Sequence, residues 1–219
     1  MTTFIIATRN AHKVEEIRGI LGGGFRFLTL RDFPAAPPVV EDAETFAGNA
    51  AKKAEELARW LAVHVPATTP EPRYVLADDS GLEVDALDGA PGVHSARFAA
   101  PDARSAGNTP DGENNAKLLR LLREVPAEWR GARFRCVIAV TPVGGPDAGT
   151  AESGTRLFDG ACEGRIATEA SGAGGFGYDP LFVPTGFAQS FAELGEGIKN
   201  GISHRARALE KLRAEWAGH

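Results

Sequence analysis

The sequence has few cysteines, no long apolar segment and no excess of basic residues. Cys136 and Cys162 are far apart and are the only two cysteines among 219 residues, which argues against a disulfide framework and favours a reducing cytoplasm. No apolar run reaches the length of a membrane span, and the N-terminus predicts a short strand rather than a leader peptide. The formal net charge of −5 argues against a broad nucleic-acid-binding face.

Two common catalytic signatures are also absent. No GxxxxGK followed by Ser or Thr occurs, which argues against a P-loop nucleotide hydrolase. No Gly-x-Ser-x-Gly nucleophile elbow occurs either. The remaining composition, 43% hydrophobic and 24% charged, is ordinary for a globular enzyme. A small anionic ligand stays possible, because a local cluster of basic groups can override a mildly acidic average.

Short apolar runs and helical periodicities alternate in the first half of the chain. Buried strands are predicted at Phe4–Ala7 and Tyr74–Ala77, and a further strand at Phe25–Leu30. Apolar residues at helical spacing predict an amphipathic helix over about 45–63. A closing helix is expected from about Ser203 to Trp216. This alternation favours an α/β protein.

Strand patterns dominate the second half. Apolar residues alternate strictly from Phe134 to Val140, which predicts a half-buried strand. Residues 151–169 predict two strands around a turn at Asp159-Gly160, and 99–114 predicts a polar loop. The expected fold class is α/β, with a mixed central β-sheet flanked by helices. We expect residues 1–219 to form a single domain of two lobes with a substrate cleft between them.

A glycine-rich segment, Gly174–Pro180, carries two aromatic rings and a carboxylate. Glycine lets the backbone approach a ligand closely. Phe176 and Tyr178 on such a loop are suited to closing over a flat ligand, and a purine base is the obvious candidate. The alternative is a tight turn that carries ordinary core aromatics.

The first predicted strand is followed by Thr8–Lys13 and then by a helical pattern. A helix N-terminus offers free N–H donors and a partial positive charge, which together bind anions. Thr8 and Asn10 add polar side chains, and Lys13 adds a full charge. The alternative is simple capping of the helix by Asn10, with Lys13 in solvent.

Adjacent carboxylates occur in Asp78-Asp79-Ser80-Gly81, which we expect at the C-terminal end of a buried strand. Two neighbouring carboxylates repel each other unless a cation or donor compensates. Mg²⁺ prefers such oxygen ligands and completes its shell with water and phosphates. Glu41 is a further candidate ligand. The alternative is an Asx-turn in which Asp79 caps the local backbone.

A basic cluster lies near the C-terminus, in Lys199–Arg205. Ser203 is a good N-cap for the closing helix, which leaves His204 and Arg205 in its first turn. Cations there oppose the helix dipole unless an anion or a keto oxygen lies nearby. The alternative is a solvated charge run.

Taken in order, these segments resemble the Ham1/RdgB family of inosine triphosphate pyrophosphatases over about residues 4–213. The motifs that carry the resemblance are Thr8-Arg9-Asn10-x-x-Lys13, Glu41 with Thr45-Phe46 and Asn49-Ala50, Ala77-Asp78-Asp79-Ser80-Gly81-Leu82, Pro91-Gly92-Val93-His94-Ser95-Ala96-Arg97, Gly175-Phe176-Gly177-Tyr178-Asp179-Pro180 and Lys199-Asn200-x-Ile202-Ser203-His204-Arg205. The resemblance implies a cytoplasmic homodimer that uses Mg²⁺ to hydrolyse dITP, ITP and XTP between the α- and β-phosphates. The products are a nucleoside monophosphate and pyrophosphate, and deaminated purine nucleotides are removed from the precursor pool. It implies neither a nucleic-acid nor a membrane partner.

The resemblance also implies roles for individual residues. Asp79 would bind metal and accept the proton of the attacking water, with Glu41 as a second metal ligand. The triphosphate is assigned to Thr8, Asn10 and Lys13, and the intervening Arg9, Ala11 and His12 are assigned to substrate binding. The rest of the nucleotide is assigned to Ser80, Phe176, Gly177, Tyr178, Asp179, Lys199, His204 and Arg205. Within that set, we expect the ring of Phe176 to stack on the base.

Two other functions stay open at this point. One is a nucleotide-binding regulator without hydrolysis, against which the acidic set of Glu41, Asp78 and Asp79 argues. The other is a related Maf-type enzyme, which cleaves the same bond in other nucleotides but has different motifs. Donors that bind the 6-keto group, with Arg205 and the backbone near His204 as candidates, would disfavour ATP by roughly 10⁴-fold. Rejection of GTP would need a second device at the 2-position.

Overall fold

The computed structural model describes residues 1–65, 73–101, 107–144 and 154–216. The strands are β1 (Thr3–Ile6), β2 (Arg26–Thr29), β3 (Arg73–Val84), β4 (Gly131–Pro142), β5 (Arg156–Ile166) and β6 (Phe182–Pro184). The α-helices are α1 (Ala11–Leu21), α2 (Phe46–His64), α3 (Asp111–Leu121), α4 (Phe191–Ile202) and α5 (His204–Trp216).

Within the described residues, six strands form one sheet in the order β2-β1-β3-β4-β5-β6. The central parallel part consists of β1 paired with β2 on one side and with β3 on the other. At the other end, β5 and β6 pair antiparallel. The predicted mixed sheet with flanking helices is therefore confirmed. The cleft between two lobes stays a prediction.

The chain divides into two compact units. The first comprises Met1–Asp79, Cys136–Asp159 and Ala208–His219. Its core contains apolar residues of β1, α1, β3, β4 and α5, among them Phe4, Leu76, Ile138, Leu209 and Trp216. All four residues of β1 are buried, as expected for a short apolar run in a parallel part of a sheet.

The second unit comprises Ser80–Arg135 and Gly160–Arg207. Its core is rich in aromatic and branched residues from β3, α3, β4, β6 and α4, among them Leu82, Leu118, Phe134, Phe182 and Phe191. The rings of Phe134 and Phe182 lie 4.7 Å apart, in a tilted arrangement typical of aromatic pairs. No helix within the described parts of the chain is both long and apolar enough to cross a membrane.

The strongest periodicities predict their elements well. The predicted helix over 45–63 is confirmed as α2, which begins after the N-cap Thr45. The closing helix is confirmed as α5, and the hydroxyl of Ser203 caps it by accepting from the backbone N–H of Ala206 at 3.2 Å. Each of these helices has an apolar face and an N-capping residue, so its first residue can be predicted from the sequence.

Three predictions about strands and loops are wrong. The β3 strand does not end before Asp78 but continues through the acidic pair to Val84. A single strand, β5, passes through Asp159 and Gly160, where a turn between two strands was expected. The expected loop over 99–114 is interrupted by α3, which begins at Asp111. Residues 102–106 and 145–153 lie outside the described residues.

Candidate active site

The segment after β1 forms a hydrogen-bonded turn into α1. The hydroxyl of Thr8 accepts the backbone N–H of Asn10 at 3.2 Å, and Asn10 Oδ1 accepts that of Lys13 at 3.3 Å. Asn10 therefore caps the helix, as the simpler alternative predicts. Lys13, however, is not solvated: its ammonium group pairs with Asp78, and its side chain is 16% exposed.

Three other residues assigned to substrate binding, namely Arg9, Ala11 and His12, are exposed at the beginning of α1. Backbone N–H groups of a first helical turn have no partner within the helix. This turn can therefore present donors and the side chain of Lys13 to an anion. The assignment of these three residues stays a prediction.

The two adjacent aspartates lie in the middle of β3, with different partners. Successive side chains of a strand point to opposite faces. Asp78 Oδ1 accepts from Lys13, and its Oδ2 accepts from the thiol of Cys136 at 3.2 Å. Asp79 Oδ1 accepts from Lys53 at 2.9 Å, whereas its buried Oδ2 accepts no hydrogen bond from any residue that the structure describes. The extended backbone excludes the Asx-turn alternative.

Lys53 joins the acidic groups together, and the sequence analysis missed it. Its ammonium group donates to Glu41 Oε2 at 2.6 Å, to the backbone oxygen of Asp78 at 2.8 Å and to Asp79 Oδ1 at 2.9 Å. Lys53 lies four residues after buried Asn49 and four before buried Leu57. A lysine on the inward face of an amphipathic helix is the signal that could have identified it.

The loop that carries Glu41 is held to α2. Asn49, which is 1% exposed, accepts the backbone N–H of Ala43 through its side-chain oxygen at 3.0 Å. The hydroxyl of Thr45 accepts from the N–H of Gly48 at 3.0 Å. These bonds fix the residues on either side of Glu44 and hold the end of the loop close to the helix that provides Lys53.

The carboxyl groups of the cluster have perturbed pKa values. Burial raises the pKa of Asp79 to about 6, although the nearby charges of Lys53 and Lys13 oppose the shift. Burial also tends to raise the pKa of Glu41, but the charge and hydrogen bond of Lys53 outweigh it and the net pKa is lowered. For Lys53 itself, burial opposes the charged form, while Asp79 and Glu41 outweigh burial and raise its pKa.

The donor set of this cluster fits Mg²⁺. Over residues 1–65, 73–101, 107–144 and 154–216, no group of three or more His, Cys, Asp or Glu side chains is arranged to hold a metal ion. Magnesium, however, is commonly bound by one or two carboxylates together with waters and substrate phosphates. Asp79 Oδ2, buried with no described donor, and Glu41, which shares Lys53 with Asp79, provide two such carboxylates. Both oxygens of Asp78 already accept from protein donors.

In the second unit, the aromatic glycine loop is organised around Asp179. The carboxylate of Asp179 accepts the backbone N–H of Phe176 at 2.9 Å. A Cβ on Gly175 would lie 2.2 Å from Asp179 Oδ2, and the φ of +73° also favours glycine there. The hydroxyl of Tyr178 donates to the backbone oxygen of Ser95 at 2.9 Å. Tyr178 is buried in the core, so Phe176 is the more accessible ring of this loop.

The predicted basic cluster is buried rather than solvated. Lys199 and Arg205 are 2% and 1% exposed. The ammonium group of Lys199 donates to Asp179 at 2.5 Å and lies 4.5 Å from the centre of the Phe176 ring. The guanidinium of Arg205 lies 6.0 Å from the same ring and donates to the hydroxyl of Ser80 at 2.9 Å. The charge-run alternative is therefore wrong.

His204 has a different environment from its neighbour Arg205. Its ring stacks on Phe134 with centroids 4.8 Å apart and an angle of 14°. Only 4% of His204 is exposed. The described surroundings of His204 are thus those of a packed core residue, and its contact with a nucleotide stays a prediction.

Helix α3 holds the backbone of Gly177, which the sequence analysis did not anticipate. Asp111 accepts the N–H of Gly177 at 2.6 Å, and Asn115 donates to its carbonyl oxygen at 3.0 Å. Asp111 and Asn115 are four residues apart, so they lie on the same face of the helix. Gly177 adopts a φ of +63°. Helix α3 thereby holds both the N–H and the carbonyl group of the residue that follows Phe176.

Comparison with known proteins identifies the family of the chain. The Ham1 family matches residues 4–215. A dITP/XTP pyrophosphatase of Geobacter sulfurreducens is 46% identical, with 100% of this chain and 99% of that protein covered, and one of Opitutus terrae is 45% identical, with 96% of each covered. A solved HAM1 protein from Coxiella burnetii has a TM-score of 0.80 at 33% identity, covering 100% of both chains. The Ham1 protein of Staphylococcus aureus has a TM-score of 0.77 at 34% identity, covering 99% of this chain and 98% of that one. The chain therefore belongs to the Ham1 family.

Proposed function

We propose that the chain is a nucleoside triphosphate pyrophosphohydrolase that cleaves dITP, ITP and XTP to the nucleoside monophosphate and pyrophosphate. Its role is to remove deaminated purine nucleotides from the precursor pool. The observation that carries the proposal is the Asp79 cluster. In it, the partly buried Lys13 and Lys53 pair with Asp78 and Asp79, and Asp79 keeps an oxygen that no described donor occupies. Its relatives named dITP/XTP pyrophosphatases support the substrate class.

The first unit supplies the groups that bind phosphates. The first turn of α1 offers backbone N–H donors, and Thr8 and Asn10 already hold that turn in place. Lys13 and Lys53 add two positive charges beside Asp78 and Asp79. These cations and N–H groups are suited to stabilising the negative charge that develops on the departing pyrophosphate.

Glu41 and Asp79 would hold Mg²⁺. When bound, the metal neutralises phosphate charge and lowers the pKa of a water molecule. Asp79 suits this role because its Oδ2 has no hydrogen-bond partner among the described residues. Glu41 suits it because it shares the ammonium group of Lys53 with Asp79, so the two carboxylates lie close together.

Asp79 is the proton acceptor in this proposal. It takes a proton from the attacking water as the bond between the α- and β-phosphates breaks. A general base works best when its pKa lies near the operating pH, and burial raises the pKa of Asp79 to about 6. Lys53 holds Oδ1 of Asp79. Oδ2 has two lone-pair sites, so one would face the metal and the other would accept the proton of the water.

The second unit supplies the groups that recognise the base. Phe176 offers a ring for stacking. The ammonium group of Lys199 lies 4.5 Å from the centre of that ring, and the guanidinium of Arg205 lies 6.0 Å from it. Arg205 and the backbone near His204 are the candidate donors for the 6-keto oxygen of hypoxanthine and xanthine. Adenine carries an amino donor at that position, so ATP would place a donor against a donor in a buried site.

We also propose that the enzyme acts as a homodimer in the cytoplasm and that residues 1–219 unfold as a single domain. Sedimentation of the purified protein tests the dimer, and cell fractionation tests the compartment. Urea transitions followed by fluorescence and by circular dichroism should coincide for a single domain. Separate transitions by the two probes would contradict it.

The test of the activity is pyrophosphate release from a panel of nucleotides. Purified protein with Mg²⁺ is incubated with dITP, ITP, XTP, dGTP, dTTP and ATP, and pyrophosphate is measured. Faster release from dITP, ITP and XTP than from the other three supports the proposal. Preferential release from dTTP would indicate a Maf-type specificity, whereas nucleotide binding without release from any of them would indicate a regulator.

A further inference from the structure

Cys136 lies where the sheet meets the lysine–carboxylate cluster. Its side chain is fully buried in the core of the first unit, together with Ile138 and Val140 of the same strand. An apolar residue would suit such a position equally well. What distinguishes cysteine is its S–H group, which donates to Asp78 Oδ2 across a distance of 3.2 Å.

Asp78 connects this thiol to Lys13. The side chain of Asp78 is 0% exposed, and its other oxygen accepts from the ammonium group of Lys13. A buried carboxylate oxygen that loses its donor carries the full cost of desolvation. The thiol therefore holds Asp78 in the rotamer that faces Lys13.

Lys13 needs a fixed counter-charge. It lies in the first turn of α1, where a positive charge opposes the helix dipole. Its four-carbon chain is flexible, so its head group is positioned only if its partner is. A thiol is a weak donor, which satisfies Asp78 Oδ2 while leaving most of the carboxylate charge for the lysine.

We infer that Cys136 is a positioning residue for substrate binding, because it orients Asp78 and, through Asp78, the ammonium group of Lys13 that meets the substrate phosphates. The inference rests on the proposed function, which assigns Lys13 to the triphosphate. It makes no use of the thiol as a nucleophile.

Cys162 provides a matched control. It is also buried, at 2% exposure, but it lies on β5 in the core of the second unit. Its thiol makes a long contact of 3.9 Å with the backbone oxygen of its neighbour Glu163. Replacing Cys162 therefore removes a buried thiol of the same size without touching Asp78.

The experiment compares Cys136→Ala, Cys136→Ser and Cys162→Ala. Calorimetry measures the affinity for inorganic tripolyphosphate in the presence of Mg²⁺, and pyrophosphate release from dITP gives kcat and KM. Loss of one hydrogen bond in Cys136→Ala should weaken tripolyphosphate binding and raise KM by about threefold to tenfold. The kcat should stay within about twofold, and Cys136→Ser, which keeps a donor, should restore both constants to nearly wild-type values.

A second arm shows whether the effect passes through Lys13. In a Lys13→Ala background, Cys136→Ala should have no further effect on tripolyphosphate affinity, because residues that act through one another are not additive. Additive losses would overturn the inference. So would equal losses in Cys136→Ala and Cys136→Ser, or a loss in Cys162→Ala as large as that in Cys136→Ala.

Stability and function are separated by the remaining controls. If Cys136→Ala melts below the assay temperature, Cys136→Val replaces it, because valine fills the same space without a donor. A wild-type protein that binds tripolyphosphate with the expected pattern of variants, yet releases no pyrophosphate, would contradict the proposed function and support the positioning role. Pyrophosphate release by the wild type, with unchanged tripolyphosphate affinity and KM in Cys136→Ala or Cys136→Val, would support the proposed function and contradict the positioning role.

Discussion

Each unit contains a lysine that is largely withdrawn from solvent and paired with an aspartate, but the balance of charges differs between the two. In the second unit, Lys199 and Asp179 form one pair with side chains 3% and 2% exposed. In the first unit, Lys53 divides its ammonium group between Glu41 and Asp79. There, Asp79 keeps a buried oxygen without a donor in the described parts of the chain.

This difference separates a supporting pair from a reactive one. A buried charge pair with matched partners holds a structure in place, here the ring of Phe176 over Lys199. A carboxylate with a vacant oxygen and a raised pKa stores unfavourable energy, which binding of a cation or transfer of a proton can release. The comparison predicts that changes in the first cluster affect turnover, whereas changes in the second affect stability and base recognition.

The largest expected effect is that of Asp79→Asn on turnover. The amide keeps the shape of the side chain but neither accepts a proton nor binds a metal as a carboxylate does. Pyrophosphate release from dITP should fall by about 10²-fold to 10⁴-fold. Circular dichroism should show an unchanged fold. Near-normal pyrophosphate release by a folded variant would show that Asp79 is not the proton acceptor. It would also contradict the view that the first cluster, unlike the second, is reactive.

The next largest effect concerns the buried ion pair of Lys199 and Asp179. Lys199→Ala removes one partner of a buried ion pair with Asp179, so the free energy of unfolding should fall by about 3–5 kcal/mol. Lys211→Ala is the control, because it breaks a pair with Asp159 in which both side chains are more than half exposed. That change should cost less than about 1 kcal/mol. Urea denaturation measures both, and equal losses would contradict a special role for the buried pair.

Much of the fold could be predicted because it depends on local patterns. The apolar stripe and the capping threonine define α2, and the serine cap defines the start of α5. The length of β3 could not be predicted in this way. Its run Asp78-Asp79-Ser80 is polar, which is typical of a strand end. The two aspartates are nevertheless buried and Ser80 is half-buried, because partners from elsewhere in the chain reach them, namely Lys13, Lys53, Cys136 and Arg205.

The candidate site was predictable to a similar extent. The motifs identified the residues that carry charge or an aromatic ring, but not which of them pair. The separate environments of Asp78 and Asp79 follow from the alternation of a strand and from the helices packed on it. The placement of His204 against Phe134 likewise depends on a contact across 70 residues of sequence, which no local pattern contains.

Phe176→Ala tests the base-binding side of the comparison. Loss of a stacking ring should raise KM for dITP by about tenfold, since base stacking on an aromatic side chain is worth about 1–3 kcal/mol. The affinity for tripolyphosphate should not change, because that ligand has no base. Phe187→Ala is a suitable control, as Phe187 is 36% exposed and lies in the turn after β6. A loss of tripolyphosphate affinity in Phe176→Ala would contradict the assignment of phosphate binding to the first unit and base recognition to the second.

A smaller effect concerns the pH dependence of stability in chelator-treated protein. The pKa of Asp79 is raised from 3.8 to about 6 in the fold. Between these values the folded protein holds a proton that the unfolded chain releases, so this group's contribution to stability falls as the pH rises from 3.8 to 6 and is then constant. Asp79→Asn should remove that slope and, above pH 6, raise the free energy of unfolding by on the order of 1 kcal/mol relative to wild type. Urea unfolding of both proteins across this range measures the difference, and parallel curves would contradict the raised pKa.

The smallest expected effect, that of Asp111→Ala, asks how firmly the base-binding side is held. Asp111 accepts the N–H of Gly177 at 2.6 Å, and an exposed hydrogen bond of this kind should change KM for dITP by about twofold to threefold. The change also removes a negative charge from the first turn of α3, which by itself weakens the helix. Glu113→Ala removes a charge from the same turn without the bond to Gly177, so it isolates the second effect. If Asp111→Ala raises KM while Glu113→Ala does not, and tripolyphosphate affinity is constant in both, then α3 positions the aromatic loop rather than merely packing beside it. Equal effects of the two changes would mean that the contact of Asp111 matters only for helix stability, and the position of Phe176 would then be attributed to its contacts with Asp179, Lys199 and Arg205.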